Sequence, residues 1–232
     1  TLFRSDVEEV FDAISYCKGS CLVRLLYYVL GPDSFKEGIR VYIQRHKWGN
    51  TVTDDLWSAF QSVFSHDDFT VKELMDTWTL QMGYPLISVA KSSGDLILSQ
   101  SWFLSDGSRL AGDELPGWIV PLFVFNGVST EMHVMREKEL RIPNFSSQFV
   151  KINAGELAPL RVEYSASLRC ALLSNISALS VCDRIGLLSD TRALARAGKL
   201  RLADVLSLLS SFEGESNVDV WGGLEDTIDS ID

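Results

Sequence analysis

The sequence predicts a multidomain chain of α and β structure: a helical zone, a β zone, and a second helical zone. Three observations carry this. Apolar residues recur at three- and four-residue spacing up to about residue 85. From there to about residue 166, short apolar runs of strand length alternate with turn residues. Helical spacing then returns and continues toward the end. That order is hard to fold around one core, so three modules are expected, at 1–85, 86–166 and 167–232.

In the first zone, Leu22, Leu25, Leu26, Val29 and Leu30 lie on one helical face, and Gly31-Pro32 ends that helix. Phe35, Ile39, Tyr42 and Ile43 give a second amphipathic face. Thr53 is the expected N-cap of a third helix carrying Leu56, Trp57, Phe60 and Phe64. Thr70 and Glu73 have the spacing of a capping box, in which each side chain accepts the other's backbone N–H. They open a fourth helix with Leu74, Met75 and Trp78, which Gly83 and Pro85 stop.

In the second zone, Leu86–Val89 and Leu96–Leu98 flank the turn signal Ser92-Ser93-Gly94-Asp95, so a hairpin is expected. Trp118–Phe125 is a continuous apolar run, the pattern of a strand buried on both faces, and Asn126-Gly127 is a turn after it. Glu131–Arg136, Gln148–Asn153 and Arg161–Tyr164 complete the strands. Short strands at this spacing suggest a small β-sandwich.

In the third zone, Leu168, Ala171, Leu172 and Ile176 line one helical face. Ile185, Leu188 and Leu194 line another, ending at Gly198. Leu202, Val205, Leu206 and Leu209 form a third, with Asp204 near its positive N-terminal end. From Glu213 the chain reads as an acidic Gly/Ser-containing tail, with Trp221 exposed or unpartnered.

The 46% hydrophobic and 22% charged content is that of a globular protein and excludes wholesale disorder. A net charge of −10 disfavours nucleic acid as a partner, because phosphate binding requires a basic face. No run of about 18 apolar residues occurs, so no membrane segment is expected here. Cys17, Cys21, Cys170 and Cys182 fit neither a CxxC redox motif nor paired zinc ligands. They are expected as reduced, buried thiols, which points to a reducing compartment such as the cytoplasm and leaves localisation otherwise open.

One string bears on chemistry: Ile14-Ser15-Tyr16-Cys17-Lys18-Gly19, set just ahead of the first amphipathic helix. A tyrosine hydroxyl can donate to the oxyanion of a tetrahedral intermediate. Lys18 is expected to lay its stem on apolar surface with its head in water. Ser15 has no histidine near it in sequence and makes a poor nucleophile. His46 suits a helix C-terminus, and Asp54-Asp55 a helix first turn, better than a metal site.

The surroundings of Tyr16 are more specific. Phe11-Asp12-Ala13-Ile14-Ser15-Tyr16 and Lys18-Gly19 precede a Leu-rich helix with Arg24. Phe35-Lys36, Gly38, Tyr42, His46, Asn50-Thr51 and Asp54-Asp55-Leu56-Trp57 follow, then Asp76-Thr77-Trp78-Thr79-Leu80-Gln81-Met82-Gly83-Tyr84-Pro85. In this order they resemble the zinc aminopeptidases of the aminopeptidase N and puromycin-sensitive aminopeptidase family. The resemblance continues through Val150–Asn153, Arg161–Tyr164 and Asp183-Arg184, and so touches nearly the whole chain.

The resemblance implies a hydrolase, a metalloprotease that removes N-terminal residues from peptides and serves peptide catabolism. It implies a thermolysin-like catalytic domain ending near residue 85, then the small β-sandwich, then the start of a solenoid-like helical domain. Tyr16 matches the family's oxyanion donor, and Phe11 matches a position lining the pocket for the substrate's N-terminal side chain. The family holds zinc with His-Glu-x-x-His and a further Glu, the first Glu being the general base. This sequence has only His46, His66 and His133, with no two four apart and no His-Glu pair. It also lacks the Gly-x-Met-Glu-Asn loop that binds the substrate's amino group, and Pro159-Leu160 departs from the usual small-then-aromatic pair. The expectation is a C-terminal piece of such an enzyme, inactive alone, with no metal of its own. Its partners would be the missing N-terminal part of the same chain and peptide substrates. Two alternatives are a catalytically silent relative acting as a scaffold, and a bifunctional epoxide hydrolase and aminopeptidase, although that branch lacks the β-sandwich.

Overall fold

A computed structural model describes residues 13–108 and 117–230, with side chains from Tyr16 onward. Among the described residues there are eight α-helices, one short 3-10 turn and two small sheets. They fall into two compact units, one reaching Met82 and taking in Leu157–Pro159, the other holding Gly83–Glu156 and the chain from Leu160.

The first unit is helical. Helix α1 spans Ala13–Leu30, α2 Pro32–His46, α3 Thr53–Gln61 and α4 Val71–Thr79. Leu25, Leu26, Phe60, Leu74, Met75 and Trp78 are almost wholly buried, as the apolar periodicity requires. Pro32 at the first turn of α2 gives up no hydrogen bond there, because that N–H has no intrahelical acceptor. Gly38 faces Phe60 so closely that a Cβ would lie 2.3 Å from the ring, so a residue without one lets α2 meet α3. The expected capping box is formed: Glu73 accepts the Thr70 N–H at 2.8 Å, and Thr70 Oγ1 accepts the Glu73 N–H at 3.1 Å.

Two local expectations are corrected. The N-cap of α3 is Val52, not Thr53, because the Asp55 carboxylate reaches back to accept the Val52 N–H at 2.9 Å. Phe64 lies beyond α3, where Ser62 turns its hydroxyl onto the Ala59 carbonyl and closes the helix.

The second unit begins with the hairpin of β1 (Pro85–Ser92) and β2 (Asp95–Trp102). Its two-residue loop, Ser93-Gly94, has positive φ at both positions, which matches the twist of the flanking strands. Strands β3 (Val120–Phe125) and β4 (Thr130–Met135) form a second antiparallel pair, joined by a turn in which Asn126 Oδ1 accepts the Val128 and Ser129 N–H groups. Strand β5 (Glu139–Ile142) pairs with β2, β6 (Lys151–Ile152) with β3, and β7 (Arg161–Tyr164) runs parallel to β1. The orders are β5-β2-β1-β7 and β4-β3-β6. Pro121 is tolerated in β3 because β6 flanks that strand only at Val124 and Phe125. The Gln148–Asn153 stretch contributes just the two residues of β6.

Helices α5 (Ala166–Leu173), α6 (Val181–Arg196), α7 (Leu202–Ser211) and α8 (Val218–Asp229) complete the unit. Helix α8 gives the acidic tail from Glu213 a regular element that its composition did not announce. Asn217 caps it, and Val220, Leu224 and Thr227 bury one face. Trp221 is half-exposed but not unpartnered, since its indole N–H donates to the Glu215 carbonyl at 3.0 Å. Strands and helices share one core, in which Leu86 and Phe103 pack with Leu194 and Ala197.

A polar seam reinforces that join. Lys151, 1% exposed, donates to the Ile152 carbonyl at 2.8 Å and to Glu156 at 2.6 Å, with Asp183 3.7 Å away. Asp183 accepts the Gly155 N–H, and Asp190 accepts both Arg161 and the Val162 N–H. Buried charges are tolerated only when compensated in this way. Lys151 stays well above the ordinary lysine range: burial lowers its pKa, and the carboxylates of Glu156 and Asp183 outweigh that. No helix among the described residues is long and apolar enough to cross a membrane.

Candidate functional site

Tyr16 sits in the first turns of α1, on the side away from Leu22, Leu25 and Leu26, and is 60% exposed. The helix forms there because nothing in Ala13–Leu30 breaks it before Gly31. Its inner face is anchored in the unit's core, so the phenol is carried on a fixed backbone with its ring in reach of solvent. That placement suits a hydrogen-bond donor to something outside the helix. Phe11, the other site residue expected from the sequence, lies outside the described residues.

Lys18 is where the structure departs from expectation. Its head is not left in water: Nζ donates to the Gln81 carbonyl at 2.8 Å. Partial burial lowers its pKa. One helical face thus holds the Tyr16 segment onto the segment following α4. No sequence signal announces a contact between residues 63 apart, and this contact is the one that pattern reasoning missed.

The remaining candidates behave as structural groups. His46 ends α2 and packs against Tyr42, with ring centroids 5.5 Å apart. Asp54 pairs with Lys72 at 2.7 Å. His66 stacks on Phe69 at 4.5 Å. His133 lines a cleft of about 210 Å³ with Asn126, Glu131, Asn144 and Phe145, and burial lowers its pKa. Among the described residues, no three His, Cys, Asp or Glu side chains converge to hold a metal ion. The thiols correct one part of their expectation: all four cysteines are unbridged, as reduced thiols are, but exposed rather than buried. In α1 the core-facing positions are already filled by leucine and valine, which leaves Cys17 and Cys21 on the outer flank.

Residues 2–78 match the peptidase family M1 domain. The first third of the chain is thus a peptidase family M1 segment. Its later part, residues 149–232, matches the ERAP1-like C-terminal domain. Aminopeptidase M1-A of Oryza sativa subsp. japonica is 33% identical over 97% of this chain and 26% of its own length. Aminopeptidase 2 of Candida albicans is 34% identical over 97% of the chain and 25% of its own. The puromycin-sensitive aminopeptidase of Caenorhabditis elegans is 32% identical over 98% and 25%. The chain spans about a quarter of the length of the curated relatives it matches. Tyr16, Lys18 and α1 to α4 all fall within or next to the M1-matched segment.

Proposed function

We propose that this chain supplies the tyrosine side of a zinc aminopeptidase, a hydrolase that removes residues from peptide N-termini. The observation that carries this is the M1 match over residues 2–78, which contains Tyr16 on an exposed helical face. Three relatives similar over nearly the whole chain bear aminopeptidase names.

In this reading the Tyr16 hydroxyl donates to the oxygen on which negative charge develops as the peptide carbonyl becomes tetrahedral. Lys18, through Gln81, holds the helix that aims it. Phe11 contributes to the pocket for the substrate's N-terminal side chain. The described residues do not fit a zinc ion, because no three suitable side chains converge. Zinc, the general base and the amine anchor would come from parts of the protein outside these 232 residues. The 232 residues alone are then catalytically inactive.

The proposed division is the helical end of a thermolysin-like catalytic domain at 1–85, a β-sandwich at 86–166 and the start of a solenoid-like helical domain from 167. Family matches at the two ends, with both sheets between residues 85 and 164, support it.

The test compares two proteins with an aminoacyl-coumarin substrate and metal analysis: the 232-residue chain, and the same chain extended upstream through a whole M1 domain. The extended protein should bind one zinc and release the fluorophore; the shorter should do neither. Turnover by the shorter chain alone, or none by the zinc-loaded longer one, would overturn the assignment.

A further inference from the structure

Cys17 and Cys21 are four residues apart within one unbroken helix. Side chains at that spacing leave the same flank, one turn apart, with Cβ atoms about 5–6 Å from each other. At about 100° of rotation per residue, both lie roughly a third of a turn from the buried face made by Leu22, Leu25 and Val29. Both are exposed, and neither is bridged. Ser20, beside Cys21 in the chain, turns its Oγ back onto the Cys17 carbonyl at 2.9 Å. The helix backbone therefore holds two uncovered thiols at chelating distance.

We propose that Cys17 and Cys21 form a vicinal dithiol site for soft, thiophilic centres, with trivalent arsenicals as the ligand class. Thiolate sulfur is the softest donor a protein offers. Once one sulfur has bound, the second bond closes within the same helix turn, at an effective concentration in the millimolar range or above. With phenylarsine oxide the balance is simple. The arsenic–oxygen bond is replaced by two arsenic–sulfur bonds, and the oxide oxygen leaves as water with the two thiol protons. Arsenic stays trivalent, so no oxidant or reductant is needed. Cys170 and Cys182 are a control within the same molecule. They are exposed too, but sit on α5 and α6, with no shared helical register to hold them together.

The test is native intact-mass analysis of the chain with phenylarsine oxide. One adduct per molecule is expected, stable to excess 2-mercaptoethanol and removed by 2,3-dimercaptopropanol. The Cys170→Ser/Cys182→Ser protein should behave identically. In Cys17→Ser and Cys21→Ser, and in the corresponding alanine variants, the adduct should become sensitive to the monothiol, with apparent affinity at least ~100-fold weaker. Far-UV circular dichroism of each variant without arsenical checks that the fold is kept. A monothiol-resistant adduct that survives either single substitution overturns the proposal. So do two independent monothiol-sensitive adducts on the unaltered chain, or no adduct at all.

Discussion

The Lys18 ammonium donates a 2.8 Å hydrogen bond to the carbonyl oxygen of Gln81. It joins the two strings that most strongly mark the family, one around Tyr16 and one running from Asp76 to Pro85. Helix α1 is thereby held at a point two residues from the candidate oxyanion donor.

Replacing Lys18 with Met keeps the stem and removes the donor. The carbonyl then loses a charged partner, worth up to ~3 kcal/mol when buried, and partial exposure discounts that to about 1 kcal/mol. Urea unfolding should show a loss of that size, with Lys18→Arg recovering part of it. An unchanged midpoint in Lys18→Met would remove the contact from the stability of this unit.

Tyr16→Phe separates chemistry from folding. The ring is largely exposed, so stability should change by less than about 0.5 kcal/mol. In the full-length aminopeptidase proposed above, loss of the proposed oxyanion donor should lower kcat by ~10²–10³ with KM nearly unchanged. A variant with ordinary kcat would take Tyr16 out of the mechanism.

The first four helices could be read from sequence because each carries its own apolar face and, at Thr70, a complete capping box. The β1–β2 hairpin was equally legible from its turn residues. Helix α8 was not, because Gly222-Gly223 and a run of acids obscure a buried face of just Val220, Leu224 and Thr227. Strand β5, four residues long, exists through its pairing with β2. At the candidate site, Tyr16 was visible as a motif, whereas the Lys18–Gln81 contact and the exposure of Cys17 depend on which helical faces neighbouring elements cover. Local spacing does not encode that.

Gly186 makes room for the Lys151 network. A Cβ there would stand 2.0 Å from a Glu156 carboxylate oxygen, so Gly186→Ala must push Glu156 off the buried Lys151. Alanine gains about 1 kcal/mol of helix propensity. Breaking a buried ion pair costs about 3–5 kcal/mol and should win. Denaturant unfolding should show a net loss of about 2–4 kcal/mol, with a Gly186→Ala/Glu156→Ala double variant losing less than the sum of the two. A stabilised Gly186→Ala protein would mean that Glu156 is not needed there.

Gln100 satisfies backbone groups that the sheets leave over. Its amide nitrogen donates to the Trp118 and Glu137 carbonyls at 3.0 and 2.9 Å, and its oxygen accepts the Trp118 N–H at 2.9 Å. Gln100→Leu fills a similar volume but makes none of these bonds. The expected destabilisation is about 3 kcal/mol, measured by thermal or urea unfolding. A loss under about 1 kcal/mol would show that the backbone groups find other partners.

The pH dependence should centre on Asp190. Burial, then the nearby Glu156 charge, pushes its carboxyl up to about 7 against the pull of Arg161 and Lys151. The folded pKa exceeds the unfolded one, so between about pH 4 and 7 the native state holds a proton the unfolded chain has lost. Stability from this group is present at low pH and is lost as pH rises through about 7, at up to about 1.4 kcal/mol per unit. His133, lowered by burial, acts in the opposite sense below its ordinary range, and the lowered carboxyls of Asp95, Asp106, Asp204 and Glu215 act only in stronger acid. Subtracting the Asp190→Asn profile removes those contributions. Urea unfolding from pH 5 to 8 should show the stability difference between the parent chain and Asp190→Asn shrinking up to pH 7 and levelling above it. Parallel profiles would mean that Arg161 and the Val162 N–H, which both donate to this carboxylate, keep it ionised throughout.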